Sequence, residues 1–300
     1  MSPPAANPGA PGPVLVIHAG AGLGSAADGP QADEHRAALR TALQRGRAIL
    51  EAHGDAVDAV AAAVAHLEDE APFFNAGRGS VLCADGSVEM SAALMRGHDR
   101  AAGAVAAICR TRLPVLAARA VLERSSHVLL LGDPADQHAA AAGLEQRDPS
   151  YFVTERQRER LRDLGTDFTR GTVGAVCLDG HGRLAAATST GGRRGQAPGR
   201  VGDTPVIGAG TWADPRVAIS CTGDGEAFIR AGAARQLALL ASSGETLERA
   251  ARATLQDVAD LGGSGGLIAV DHEGSVTMPF TAAAMNRGVW RAGEEPAVWV

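Results

Sequence analysis

The sequence predicts an α/β layered fold with an antiparallel component, and three observations carry that reading. Helix-period runs come in neighbouring pairs, 33–53 with 55–70 and 226–241 with 245–260. Short apolar runs come as hairpins around tight glycine-bearing turns, 172–179 with 183–190 and 267–270 with 275–278. The chain has 300 residues, 45% hydrophobic and 21% charged, enough to bury a sizeable core. Strands that turn straight back pair antiparallel, so strict β-α-β winding is not expected.

The elements follow in order. Residues 1–13 are Pro, Ala and Gly and read as a disordered tail, leaving 14–300 as one domain. The apolar run 14–18 is a strand meeting the glycine-rich turn HAGAGLG. Segment 33–53 places Leu39, Leu43, Gly46, Ile49 and Leu50 on one helical face and stops at Gly54. Segment 55–70 repeats the period with Val57, Val60, Val64 and Leu67. Its alanine- and valine-rich inner side allows close packing, and Pro72 ends it. Residues 80–95 read as two short strands about Ala84-Asp85-Gly86. A helix is expected over 114–123, a strand over 127–131 and a helix over 134–146. The charged stretch 154–171 reads as a solvated helix running into a mobile loop. After the 172–190 hairpin come a strand at 217–221, helices at 226–241 and 245–260, and a closing hairpin over 267–278.

Composition removes several function classes. All 28 basic residues are arginine, so a P-loop GK[ST], a lysine Schiff base and a Ser-Lys pair are excluded. A net charge of −6, with acids and arginines interspersed, argues against a nucleic-acid partner. The cysteines Cys83, Cys109, Cys177 and Cys221 are scattered without a CxxC, as in a reduced, cytoplasmic protein. No HExxH or close His pair offers a side-chain metal site. The N-terminus lacks the basic and apolar regions of a secretion signal, and no apolar run is long enough to cross a membrane.

Three glycine-rich spots compete for the chemistry. Gly20-x-Gly22-x-x-Ser25 follows a strand but lacks the third glycine and the later acid of a dinucleotide fingerprint; it reads as a place of close backbone approach. Gly262-Gly-Ser264-Gly-Gly266 spells GxSxG, yet a helix precedes and a strand follows it, the reverse of a nucleophile elbow. Its only downstream histidine is His272, so it reads as a helix C-terminal turn. The third spot runs from Gly171 to Gly225. Cutting the Gly171-Thr172 bond there would give one residue both a hydroxyl and an α-amine. Such an amine titrates at roughly 7.7–8.0 and can serve as base for its own hydroxyl.

The segments IHAGAG, DAVDAV, FFNAGRGS, GTVGAV, ATSTGG, GRVGD, SCTGDGE and GGSGGLIA stand in this order from Val14 to about Arg291. Together they resemble the isoaspartyl peptidase/L-asparaginase family of threonine N-terminal-nucleophile hydrolases. The resemblance implies an αββα sandwich that cuts itself between Gly171 and Thr172 into chains 1–171 and 172–300. It implies Thr172 as nucleophile, Thr190 as the hydroxyl that orients it, and Thr222 with Gly223 as the oxyanion-binding element. Arg200 would take the substrate carboxylate and Asp203 its α-ammonium, opposite charges suited to a zwitterion. Val201, Gly202, Asp224 and Gly225 would complete the substrate loop, with Asn75 close by. The implied substrates are L-asparagine and β-aspartyl peptides, and the implied assembly is a homodimer of αβ units. No cofactor is required. A structural sodium is implied on the backbone of Glu68, Asp69, Ala71, Phe74, Ala76 and Arg78.

The sequence departs from the family pattern at Ala19, where HGGAG is usual, and at Ser91 and Arg96, where aspartates are usual. These positions bear on substrate preference and maturation. Two neighbouring readings remain: hydrolysis of glycosylated asparagine, which needs a wider mouth, and an uncut relative that binds amino acids without turnover.

Overall fold

The computed structural model describes residues 11–22, 29–163 and 171–300. Residues 1–10 of the expected tail, Ser25 of the first glycine motif and residues 164–170 of the expected loop lie outside the described residues.

The first half runs β1 (Val14–Gly22), α1 (Pro30–Glu51), α2 (Ala56–Asp69), β2 (Met90–Arg96), β3 (Ala102–Ile108), α3 (Pro114–Arg124), β4 (Leu129–Leu131), α4 (Gly132–Ala141) and α5 (Glu155–Arg162). The second runs β5 (Val173–Leu178), β6 (Leu184–Thr190), β7 (Thr211–Ala213), β8 (Val217–Gly223), α6 (Gly225–Ala231), α7 (Ala233–Ser242), α8 (Leu247–Asp260), β9 (Gly265–Asp271), β10 (Val276–Thr277), β11 (Ala284–Arg291) and β12 (Ala297–Trp299). The strands form an eight-stranded sheet in the order β12-β11-β1-β5-β6-β2-β3-β4 and a four-stranded sheet in the order β10-β9-β8-β7. Every pair is antiparallel except β3 with β4.

Strand alternation explains the layering. In β1, Leu15 and Ile17 join the buried cluster made with α1–α4, whereas Val14 and Val16 join a second cluster facing the smaller sheet. β5 does the same, with Val173, Ala175 and Cys177 on one side and Val176 and Leu178 on the other. In β8 and β9, Ile219, Cys221, Leu267 and Ala269 pack with α6–α8, and Ala218, Ile268 and Val270 face the larger sheet. Both faces of the central strands are buried, which is why they read as unbroken apolar runs.

Close approach is built from small residues. A Cβ on Gly46 of α1 would come within 3.0 Å of the Ala59 carbonyl oxygen of α2, so the two helices pack near backbone contact. The N-terminus of α2 is closed by Asp55, whose Oδ1 accepts from Asp58 N at 2.8 Å. The buried carboxylate of Asp179 joins that helix to the β5–β6 turn. Its Oδ2 accepts from Ala56 N at 3.1 Å, and its Oδ1 accepts from His181 N and Arg183 N at 2.8 and 2.9 Å.

Several expected elements differ. Of the two strands expected over 80–95, only the second forms. Residues 81–83 instead meet a turn, Cys83 N donating to Ser87 O and Gly195 N to Leu82 O. The single helix expected over 226–241 is split at Gly232, which takes a left-handed conformation at φ 58. Helix α4 starts at Gly132 and stops at Ala141, and beyond it Arg147 N donates to Arg110 O. Strands β3, β7, β11 and β12 form where the sequence predicts no strand. β3, AGAVAAI, has the composition of a helix, and its Gly103 sits where a Cβ would come 2.1 Å from Ala118 O of α3. Tertiary packing decides there over local propensity.

Candidate active site

Gly171 and Thr172 enter β5, the strand flanked by β1 and β6. β1 passes close by: at Gly20, φ is 99, and a Cβ there would lie 3.1 Å from Gly171 Cα. This is the close backbone approach expected for that motif, and Gly20 and Gly22 lie within β1, not in a phosphate-binding loop.

Thr172 is buried, and its Oγ1 donates to Thr190 Oγ1 at 3.4 Å. Thr190 Oγ1 in turn donates to the Gly171 carbonyl oxygen at 2.9 Å and accepts from Gly192 N at 3.0 Å. Asn75 closes the other side. Its Nδ2 donates to Gly171 O and to Gly192 O, both at 2.7 Å, while its Oδ1 accepts from Val81 N at 2.8 Å. The Gly171 carbonyl oxygen therefore faces two fixed donors.

Thr172 and Thr190 open on a cleft of about 330 Å3, counted out to its mouth. Gly202, Asp203, Gly223, Asp224 and Gly225 line it, as does Arg200. Arg200 binds Glu226 through two parallel bonds, Nε to Oε1 and Nη2 to Oε2, each 2.9 Å, and Nη1 donates to Gln196 Oε1 at 3.3 Å. The carboxyl of Asp203 is pushed up to about 7 by burial, against the pull of the Arg200 guanidinium. Gly225 leaves room for this pair, because a Cβ there would meet Arg200 Nη2 at 2.8 Å and Asp203 Oδ1 at 3.0 Å. At Gly223, φ is 149 and a Cβ would fall 2.4 Å from Ser264 O.

Three expected site residues do not line the cleft. Thr222 is fully buried, its Oγ1 accepting from Ala21 N at 3.3 Å. Asn75 acts on Gly171 and Gly192 as described, and Val201 does not line the cleft. Conversely, three lining residues lie outside the set the sequence predicts: Gly192 and Arg193, directly after ATSTG, and Glu226, the last residue of SCTGDGE. A polar seam, which no motif announces, also lies between the sheets. His18 Nε2 meets Ser220 Oγ at 2.9 Å, Ser220 Oγ meets Thr188 Oγ1 at 2.8 Å, and Thr211 Oγ1 donates to Thr188 Oγ1 at 2.7 Å. Burial pushes His18 down to about 3, so it is neutral and serves as a hydrogen-bonding strut.

The departures at Ala19 and Ser91 are close to this centre, Ala19 opposite Val173 and Ser91 opposite Thr190. Arg96 is at the far end of β2, paired with Asp99 at 2.6 Å.

The other candidate chemistries do not assemble. Ser264 N donates to Asp224 Oδ2 at 2.9 Å, and Ser264 and His272 flank opposite ends of the seven-residue β9. Cys109, Asp133 and Asp136 cluster, but Asp136 accepts four bonds from the backbone of 109–111 and the Thr111 hydroxyl. Among the described residues no helix is long and apolar enough to cross a membrane.

Comparison with known proteins bears on this arrangement. The sequence profile of the family described as Asparaginase matches residues 11–300. The chain is 44% identical to the isoaspartyl peptidase of Escherichia coli K12, over 96% of this chain and 95% of that protein. It is 39% identical to the putative isoaspartyl peptidase/L-asparaginase of Dictyostelium discoideum, over 92% of each. It is 40% identical to the isoaspartyl peptidase/L-asparaginase of Homo sapiens, over 94% of each.

Proposed function

The chain belongs to the asparaginase family, and from that premise we propose that it is an amidohydrolase of isoaspartyl peptides and L-asparagine. In this reading it works through an acyl-enzyme on Thr172, exposed by self-cleavage after Gly171. The observation that carries the reading is the Gly171 carbonyl oxygen, held by Asn75 Nδ2 at 2.7 Å and Thr190 Oγ1 at 2.9 Å.

Those donors suit the charge that develops when Thr172 Oγ attacks the Gly171 carbonyl carbon. The C–N bond then breaks, the freed α-amine takes the hydroxyl proton, and an ester joins Gly171 to Thr172. Water hydrolyses it, leaving a Gly171 carboxylate and a Thr172 bearing hydroxyl and amine. In turnover that amine takes the hydroxyl proton while Oγ attacks the substrate's side-chain amide carbonyl. Arg200 holds the α-carboxylate, Asp203 the α-ammonium, and Gly223, on the cleft wall with Thr222 directly before it in β8, the oxyanion. The departing ammonia or amino acid leaves with the proton, and water releases aspartate. Glu226 supports Arg200's role: its carboxylate occupies the fork as a substrate carboxylate would.

The layers correspond in this reading to the αββα sandwich of N-terminal-nucleophile hydrolases. After the cut, chains 1–171 and 172–300 remain interleaved, since β1 of the first pairs β11 on one side and β5 on the other, both from the second. Four cysteines without disulfides support a cytoplasmic setting. The exposed Val128, Leu129 and Leu131 beside and on the edge strand β4 support a homodimer of αβ units.

The backbone over Glu68–Gly79 fits a sodium ion. Gly77 and Gly79 sit where a Cβ would come within 2.3 Å of Glu68 O and 2.0 Å of Phe74 O. Ala71, Phe74 and Ala76 each accept one N–H bond, which leaves each carbonyl a second lone pair. With the carbonyls of Asp69 and Arg78 this is an oxygen-only set suited to a hard cation, whose contribution would be to hold the loop carrying Asn75.

The test is aspartate release from isoaspartyl-leucine and from L-asparagine by the purified protein. Turnover of both is expected; release from neither overturns the reading.

A further inference from the structure

We infer that Arg193 binds the carboxylate of the leaving residue, so that the cleft favours isoaspartyl dipeptides with a free C-terminal carboxylate over those without one. The inference rests on the amidohydrolase reading above.

Two arginines, Arg193 and Arg200, line the cleft beside Thr172 and Asp203. They stand at opposite ends of one loop. Arg200 is three residues before Asp203, at the end that suits an aspartyl zwitterion. Arg193 directly follows Gly192, whose N–H donates to Thr190 Oγ1 and whose carbonyl accepts from Asn75, so it borders the reacting end. Its own N–H donates to Gln196 Oε1 at 2.9 Å, which fixes the backbone that launches the side chain.

The ligand charges match this pair. L-asparagine has one carboxylate, and one arginine satisfies it. An isoaspartyl dipeptide has two, one on each side of the scissile amide. With the aspartyl carboxylate on Arg200, the second falls on the side of Thr190 and Gly192, where Arg193 supplies the cation. Glu226, on the cleft wall, feels both positive charges. It is bidentate on Arg200, and its carboxyl is held below the ordinary range chiefly by that bond, with a smaller pull from Arg193. Glu226 is 56% exposed at the mouth, open to displacement by an incoming carboxylate.

The experiment compares kcat/KM for isoaspartyl-leucine with that for its C-terminal amide, in wild-type protein, Arg193→Gln and Arg193→Lys. The expected result is a wild-type preference for the free acid that falls about tenfold in Arg193→Gln, through KM, and is largely retained in Arg193→Lys. Because the readout is a ratio within each variant, a general loss of folded protein does not move it. An unchanged ratio in Arg193→Gln overturns the inference, as does turnover of L-asparagine without turnover of either dipeptide. Wild-type protein that hydrolyses none of these substrates overturns the amidohydrolase reading and this inference with it.

Discussion

The side-chain amide of Asn75 donates to the carbonyl oxygen of Gly171 at 2.7 Å, across a sequence separation of 96 residues. The same amide donates to Gly192 O, and its oxygen is held by Val81 N, so the donor cannot swing away without breaking two further bonds. A donor fixed in this way costs no reorganisation when charge builds on the oxygen it faces.

Asn75→Ala removes one of the two donors on that oxygen. Self-cleavage is expected to slow by about 10²–10³-fold, the effect of losing one oxyanion donor. Following the disappearance of the uncut chain after synthesis measures this directly. Cleavage at the wild-type rate would remove Asn75 from the account.

Asp203 makes the acid limb of substrate binding. Its carboxyl titrates at about 7 in the folded protein because burial disfavours the charged form. Below that pH it is neutral and loses its attraction for an α-ammonium, so KM for L-asparagine is expected to rise as pH falls from 8 to 6. For stability the sign is opposite. The folded protein keeps this proton up to about pH 7, while the unfolded chain releases it near the ordinary carboxylate value, so the carboxyl lowers stability as pH rises through that window. Asp203→Asn should flatten both trends, as KM profiles and thermal melts across pH would show.

Sodium removal should be felt in the loop that carries Asn75. Exchange into tetramethylammonium buffer is expected to lower Tm by a few degrees, by mass action on a site present only in the folded state. Melts at equal ionic strength with and without sodium measure it; identical values would mean that the loop needs no ion.

The larger features were legible in the sequence for physical reasons. Strands β5 and β6 bury both faces, so their apolar runs stand out, and Gly180-His181-Gly182 marks the turn between them. The Gly232 break was not legible, because Phe228, Ile229, Leu237 and Leu240 keep a helical spacing across it. β3 was hidden by its alanines, and only the packing of α3 on Gly103 gives that residue a reason. Within the site, Thr172, Thr190, Arg200 and Asp203 were named from motif and chemistry, and the fold brings all four to one cleft. Glu226 and Arg193 were passed over because their meaning is relational. Glu226 matters only once Arg200 is seen in its grasp, and Arg193 only once two cations are seen in one cavity.

Intact mass spectrometry of the purified chain under denaturing conditions, beside a Thr172→Ala variant, decides whether Thr172 becomes an N-terminal nucleophile. Two fragments are expected for the wild-type protein, ending at Gly171 and beginning at Thr172, and a single uncut chain for the variant. A wild-type chain that stays whole while hydrolysing isoaspartyl-leucine, or a Thr172→Ala chain that still splits after Gly171, would show that Thr172 does not act in this way.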